Sequence, residues 1–212
     1  MMTVIAYYDD RHSQGIWLEG REALAGNIKQ TMIERTAVLL AKKGLQGTSF
    51  SEILEASGAP RGSLYHHFPG GKDELVLAAL EHAANQALGV LDRLAGKPAR
   101  EVAEGFLSLW RSVLARSDFS AGCAVVAVTV AAESEDLRAR AAEILRSWRE
   151  KLATLFVAGG IPKKKARSLA ASLVAACEGG VILARAERSF EPFDLVAAEQ
   201  LAMVEAAAKS VS

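Results

Sequence analysis

The sequence holds only two cysteines, Cys123 and Cys177. That scarcity excludes a disulfide framework and suits a reducing cytoplasm. An excess of charge of either sign is also missing, since 25 Lys plus Arg balance 25 Asp plus Glu. Net charge therefore says nothing about partners, because a nucleic-acid-binding protein needs a basic face rather than a basic chain. No export signal is expected, since Met1 to Tyr8 contain no basic residue and Asp9 and Asp10 cut the apolar stretch short. The apolar run from Ala121 to Ala132 is well short of the ~20 residues a membrane-spanning helix needs. The expectation is a soluble, cytoplasmic protein with no membrane partner.

Signatures of catalysis are missing as well. The chain has no Gly-rich phosphate loop, no Gly-x-Ser-x-Gly elbow and no His-Glu-x-x-His. Its four histidines all precede residue 83, so a Cys123–His dyad would need a distant partner. Nothing beside Cys123 in sequence would lower its thiol pKa for redox sensing. His66 and His67 are adjacent, and neighbours on a helix diverge by about a hundred degrees, which is poor metal geometry. No enzyme, metal or cofactor is expected. Sustained alternation of β-branched residues is absent too, so no sheet is expected.

What remains is helix. Half of the residues are hydrophobic, enough for one core plus a small appended module. Residues 1–26 show no sustained period and read as a loosely ordered arm or an extension outside the fold, with a short helix from Leu18 to Ala25 as an option. From Ile28 a helical stripe runs through Met32, Ile33, Thr36, Ala37, Leu39 and Leu40, with Lys42, Lys43 and Gly44 as its basic end and stop. A second helix follows through Glu52 to Ser57, after a turn at Gly47–Ser51 rich in N-cap candidates. A third is expected from Arg61 to His67, and a fourth from Lys72 or Asp73 to about Ala95. Further segments are expected near 99–116, 124–132, 135–158, 163–188 and 193–209, each bounded by Gly, Pro, Asp or Ser. The fold class is all-α. The expected organisation is an arm (1–26), a small helical domain (27–75, its last helix continuing) and a larger helical domain (76–212).

The informative stretch is Thr48 to Leu75. Two short helices joined by a Gly-bearing turn make a helix-turn-helix, whose second helix fits the DNA major groove. Arg61 opens that helix, within reach of a guanine edge or a phosphate. Gly62 and Ser63 keep the approaching face low. Thr48, Ser49, Tyr65, His66 and Lys72 carry groups able to hold phosphates, and the helix N-terminus at Lys72 offers free N–H groups. Singly, each has a plainer reading: Tyr65 as a half-buried aromatic, His66 and His67 as surface residues, Lys72 as a solvated end charge. Ile53, Leu54, Leu64 and Phe68 form the opposite face.

Ser-Gly-Ala-Pro-Arg-Gly-Ser-Leu-Tyr-His-His-Phe (57–68) followed by Gly-Lys-Asp-Glu-Leu (71–75) resembles the DNA-binding signature of the TetR family of bacterial repressors. Pro60 departs from it, where most members carry a capping Ser or Thr, so no phosphate contact is assigned there. Gly122-Cys123-Ala124-Val125-Val126-Ala127-Val128 and Glu178 to Ala186 resemble the LmrA/YxaF-like branch. The resemblance implies a homodimer on a near-palindromic operator, released by a small hydrophobic inducer, with flat aromatic inducers typical of the branch. It also implies that the later helices form the ligand pocket and the dimer interface. Pocket candidates are Phe106, Leu109, Trp110, Val113, Cys123, Val126, Trp148, Leu152, Phe156 and Cys177, all of which fit ordinary core equally well. Ser168–Ala186 and the last helix, with Leu195, Val196, Leu201, Met203 and Val204, fit either an intersubunit contact or intrachain core.

Overall fold

The computed structural model describes residues 21–209, with side chains from Asn27 onward. Within them the chain forms α1 (Arg21–Lys43), α2 (Phe50–Ser57), α3 (Arg61–His67), α4 (Lys72–Asp92), α5 (Ala99–Arg116), α6 (Ala124–Ala131), α7 (Glu135–Ala158), α8 (Lys163–Glu187) and α9 (Glu191–Lys209). The described residues contain no strand.

Local chemistry fixes most boundaries. Pro98 and Pro162 stand immediately before α5 and α8, where a missing N–H and a fixed φ cost the helix nothing. Gly58 closes α2 in the left-handed conformation (φ 66°), which a side chain would oppose. The main difference from expectation is α1, which begins at Arg21 rather than near Ile28. Gly26 and Asn27 interrupt the apolar pattern there. A single Gly costs a helix only about 1 kcal/mol, so the backbone hydrogen bonds carry on through it. The expected arm otherwise lies outside the described residues.

The chain divides into two compact units. Of the described residues, the first takes those up to Ala84 together with Cys123–Ala142, and the second takes Asn85–Gly122 and those from Glu143 onward. Thus α6 and the start of α7, expected in the larger domain, group with the N-terminal helices, where α6 packs on α1 and Arg140 pairs with Glu81. Met32, Ile53, Leu64, Phe68 and Leu75 form the buried cluster that joins α1 to α4 in this unit.

In the second unit α8 packs on α9 and on α5. By length and mean hydropathy (1.6), α8 is the described helix that could span a membrane, a property the shorter 121–132 run does not have. Leu169, Leu173, Cys177 and Val181 of this helix are buried in the core, whereas Ile182 and Leu183 are exposed. Among the described residues, the three non-Gly residues of positive φ, Asp118, Phe119 and Arg188, gather at one end of this unit. An Arg188–Asp118 ion pair (2.6 Å) and a Phe119–Phe190 contact (4.7 Å between centroids) tie them together. These local contacts offset the cost of the left-handed backbone.

Candidate DNA-binding surface

The turn before α2 is built by a capping box. Ser49 Oγ accepts from the Glu52 N–H (3.3 Å), and Glu52 Oε2 accepts from the Ser49 N–H (2.9 Å). The signal for it is the Ser-x-x-Glu spacing, which marks a helix start more sharply than the count of cap-capable residues. Lys43 at the end of α1 donates to Glu52 Oε1 at 2.6 Å, tying α1 to α2. That bond first, and the Ser49 bonds after it, hold the Glu52 carboxyl at about 2, below its ordinary 4.5. A depressed pKa stabilises the fold above the unfolded value and ceases to do so as pH falls through the folded one. In an acid titration followed by circular dichroism, wild type should therefore exceed Glu52→Gln in stability by a constant margin above pH 4.5, the margin closing by about pH 2. A margin unchanged down to pH 2 would exclude this role for the carboxylate.

Thr48 departs from expectation. It is fully buried, and its hydroxyl donates to the Gly44 carbonyl at 2.7 Å. Its side chain is spent on closing the α1–α2 turn and is not presented on the surface.

The second helix turns one face to solvent. Leu64 and Phe68 are buried, whereas Arg61, Gly62, Tyr65 and His66 are exposed and Ser63 and His67 are half-buried. Pro60 caps α3 without a side-chain bond, and its carbonyl accepts from the Ser63 N–H at 2.9 Å. Tyr65 is 63% exposed and meets Phe50 edge-on, with centroids 6.1 Å apart. Those two residues and Ser51, Leu54, Arg61 and Leu64 line a cavity of about 160 Å³ between α2 and α3. Phe50 is a contributor that sequence reasoning missed, because only the fold shows which aromatic backs Tyr65. Lys72 Nζ donates to the Leu45 carbonyl at 3.0 Å. An ammonium carries three donors, so two remain for a phosphate.

The pocket candidates divide between the units. Cys123 and Val126 belong to the first, where the buried Cys123 caps α6, its Sγ accepting from the Val126 N–H at 3.5 Å. The others lie in the second. Phe106 meets Trp110 edge-on at 6.5 Å, and Trp110 meets Trp148 at 6.1 Å. Val113, Leu152, Phe156 and Cys177 are buried, and Leu109 is half-buried. Burial, and then the nearby Glu178 charge, push the Cys177 thiol well above its ordinary pKa, which suits an inert core thiol. Among the described residues no group of three His, Cys, Asp or Glu is placed to hold a metal ion.

Gly122 and Arg185, from the two stretches noted above, meet. A Cβ on Gly122 would lie 2.8 Å from Arg185 Nη1 and 3.4 Å from Val181 Cγ1, and Arg185 Nη2 donates to the Ser120 carbonyl at 3.1 Å. Gly122 thus packs directly against Val181 and Arg185 of α8.

Comparison with known proteins agrees with this geometry. Residues 32–79 match the family model of bacterial regulatory proteins of the tetR family. Residues 98–199 match the C-terminal domain of LmrA/YxaF-like transcriptional regulators. An uncharacterised HTH-type transcriptional regulator of Mycobacterium tuberculosis is 35% identical over 79% of this chain and 89% of its own length. The HTH-type transcriptional regulator LmrA of Bacillus subtilis is 26% identical over 79% of this chain and 91% of its own. The crystal structure of a TetR transcriptional regulator from Chloroflexus aurantiacus superposes with a TM-score of 0.72 at 27% identity, covering 86% of this chain and 96% of that one. With the exposed second helix, the capped first helix and both family matches in place, the chain belongs to the TetR family of bacterial transcriptional regulators, in its LmrA/YxaF-like branch.

Proposed function

We propose that the protein is a repressor that binds a near-palindromic operator as a homodimer and is released by a small hydrophobic, aromatic inducer. The observation that carries the DNA half is the exposed face of α3, where Arg61, Gly62, Tyr65 and His66 stand clear of a buried Leu64–Phe68 base. A rigid base holds the reading side chains at fixed positions, which groove recognition requires. Ser49 and Lys72 flank this face as candidate phosphate contacts.

Exposed Ile182 and Leu183 on α8, with Leu195 and Met203 on α9, support a second copy as partner. Large apolar groups collected on two packed helices mark an interface more often than a bare surface. Two copies would hold their α3 helices about 34–36 Å apart, one turn of the duplex. An inducer acts only through its different affinity for the two states, and about 2.7 kcal/mol of coupling lowers operator affinity a hundredfold. Because α4 and α7 each contribute residues to both units, the chain itself links them.

Gly62 offers a test with opposite signs. A Cβ there would meet nothing within 4 Å in the protein. Gly62→Ala should therefore raise stability by about 0.5–1 kcal/mol, the usual cost of Gly inside a helix. If the glycine is there for close approach to the duplex, the same change should weaken operator binding. Thermal melting and a binding titration on one preparation check both, and undiminished binding would remove Gly62 from the interface.

The whole reading is tested by a gel shift on DNA upstream of the protein's own coding region, at stated salt, followed by selection from random DNA. A discrete, competitor-resistant complex supports it. A folded dimer that selects no sequence would exclude it.

A further inference from the structure

The recess between α2 and α3 has walls of carbon and a polar mouth. Phe50 and Leu54 of α2 and Leu64 and Tyr65 of α3 make most of its lining, completed by Ser51 and Arg61, around a volume of about 160 Å³. Leu64 is buried, Phe50 and Leu54 are half-buried, and Ser51, Arg61 and Tyr65 are exposed. The Tyr65 and Phe50 rings brace each other edge-on, with centroids 6.1 Å apart. Arg61 and Tyr65 are four residues apart and therefore share one face of α3. The recess thus opens on the side of the helix that carries the residues assigned above to DNA. Carbon surface left in water is a standing cost, which an apolar occupant removes.

We propose that this recess reads the C5-methyl group of a thymine in the operator, beside the base that Arg61 contacts. This rests on the repressor reading above and names a sequence feature of its DNA. The C5-methyl is the one apolar group that a base pair displays in the major groove. The other groups displayed there are donors or acceptors, which carbon walls would strip of water without replacing it. Arg61 at the mouth carries five donors and no acceptor, enough for a base edge of its own and for the O4 of the neighbouring thymine. The N4 amino group of a cytosine in that place would meet a cation instead. Phe50 and Leu54 thereby give α2 a part in sequence reading, which its capping turn alone does not.

The experiment takes the full-length protein and the operator obtained by selection from random DNA. Each thymine is replaced in turn by deoxyuridine, which removes the methyl group and keeps O4 and the pairing edge. One thymine per half-site is expected to respond, within about two base pairs of the position whose preference Arg61→Ala relaxes. Uracil there should weaken binding about fourfold, and about fifteenfold in both half-sites together, the yield of one buried methyl per subunit. Every other thymine should tolerate uracil within about twofold. At the responsive position 5-methylcytosine should bind more tightly than cytosine, which separates the methyl from O4. Ser51→Leu fills the mouth from an exposed position, and Phe50→Ala removes one wall. Each should bring the thymine and uracil operators to equal affinity, with melting temperature read in parallel; if Phe50→Ala loses its fold, Ser51→Leu decides. Uracil tolerated at every thymine overturns the inference, as does a thymine-over-uracil ratio that Ser51→Leu leaves unchanged. A folded dimer that selects no sequence removes the repressor reading itself, whereas a selected operator indifferent to uracil leaves that reading and removes only the methyl site.

Discussion

Replacing Phe68 by alanine is expected to cost about 3–5 kcal/mol of stability and to remove operator binding with it. Phe68 is 1% exposed and sits in the cluster with Met32, Ile53, Leu64 and Leu75. It ends α3, its N–H donating to the Leu64 carbonyl at 2.8 Å, and Lys29 lies 5.4 Å above its ring. Truncation leaves a cavity bounded by residues from α1 to α4, and short helices around a hole have little else to hold them. Against a total stability of about 5–15 kcal/mol, the loss is a large fraction. Urea denaturation at neutral pH checks it, with Phe68→Leu as the control that restores most of the volume. A Phe68→Ala midpoint equal to wild type would mean that the cluster does not hold α3 in place.

Arg61→Ala is expected to weaken operator binding about tenfold to a hundredfold and to relax preference at one base position, as for the loss of a bidentate contact worth about 1–3 kcal/mol. Lys72→Ala should behave differently, weakening binding to every sequence and lowering the salt slope by about 1. Arg61 is exposed at the first position of α3, whereas Lys72 is half-buried and held on the Leu45 carbonyl. Binding titrations over a range of salt, on the selected site and on single-base variants of it, separate the two. If both variants shift all sequences alike, Arg61 touches a phosphate and not a base. Melting of Lys72→Ala in parallel shows whether the lost bond to Leu45 also loosens the α1–α2 turn.

The sequence by itself determined the helices and the motif, because the chemistry that starts and stops a helix acts over about four residues. Pro98, Pro162, Gly44 and Gly58 stand in the chain where the breaks fall, and α3 runs from Arg61 to His67 as the spacing implies. The exposed set of Arg61, Gly62, Tyr65 and His66 was legible for the same reason, since Leu64 and Phe68 fix which side of α3 faces inward. The start of α1 was not, because a lone Gly weakens a pattern more than it weakens a helix.

Only the tertiary structure decided the rest. It buried Thr48 against Gly44, put Phe50 behind Tyr65, grouped α6 with the N-terminal helices, and brought Gly122 to Arg185 and Trp110 to Trp148. A threonine, a glycine or a tryptophan carries no local mark of what will surround it. Burial and unmet hydrogen bonds are set by which distant helices pack together, and that packing depends on the sum of many weak apolar contacts rather than on any residue's own neighbours in sequence.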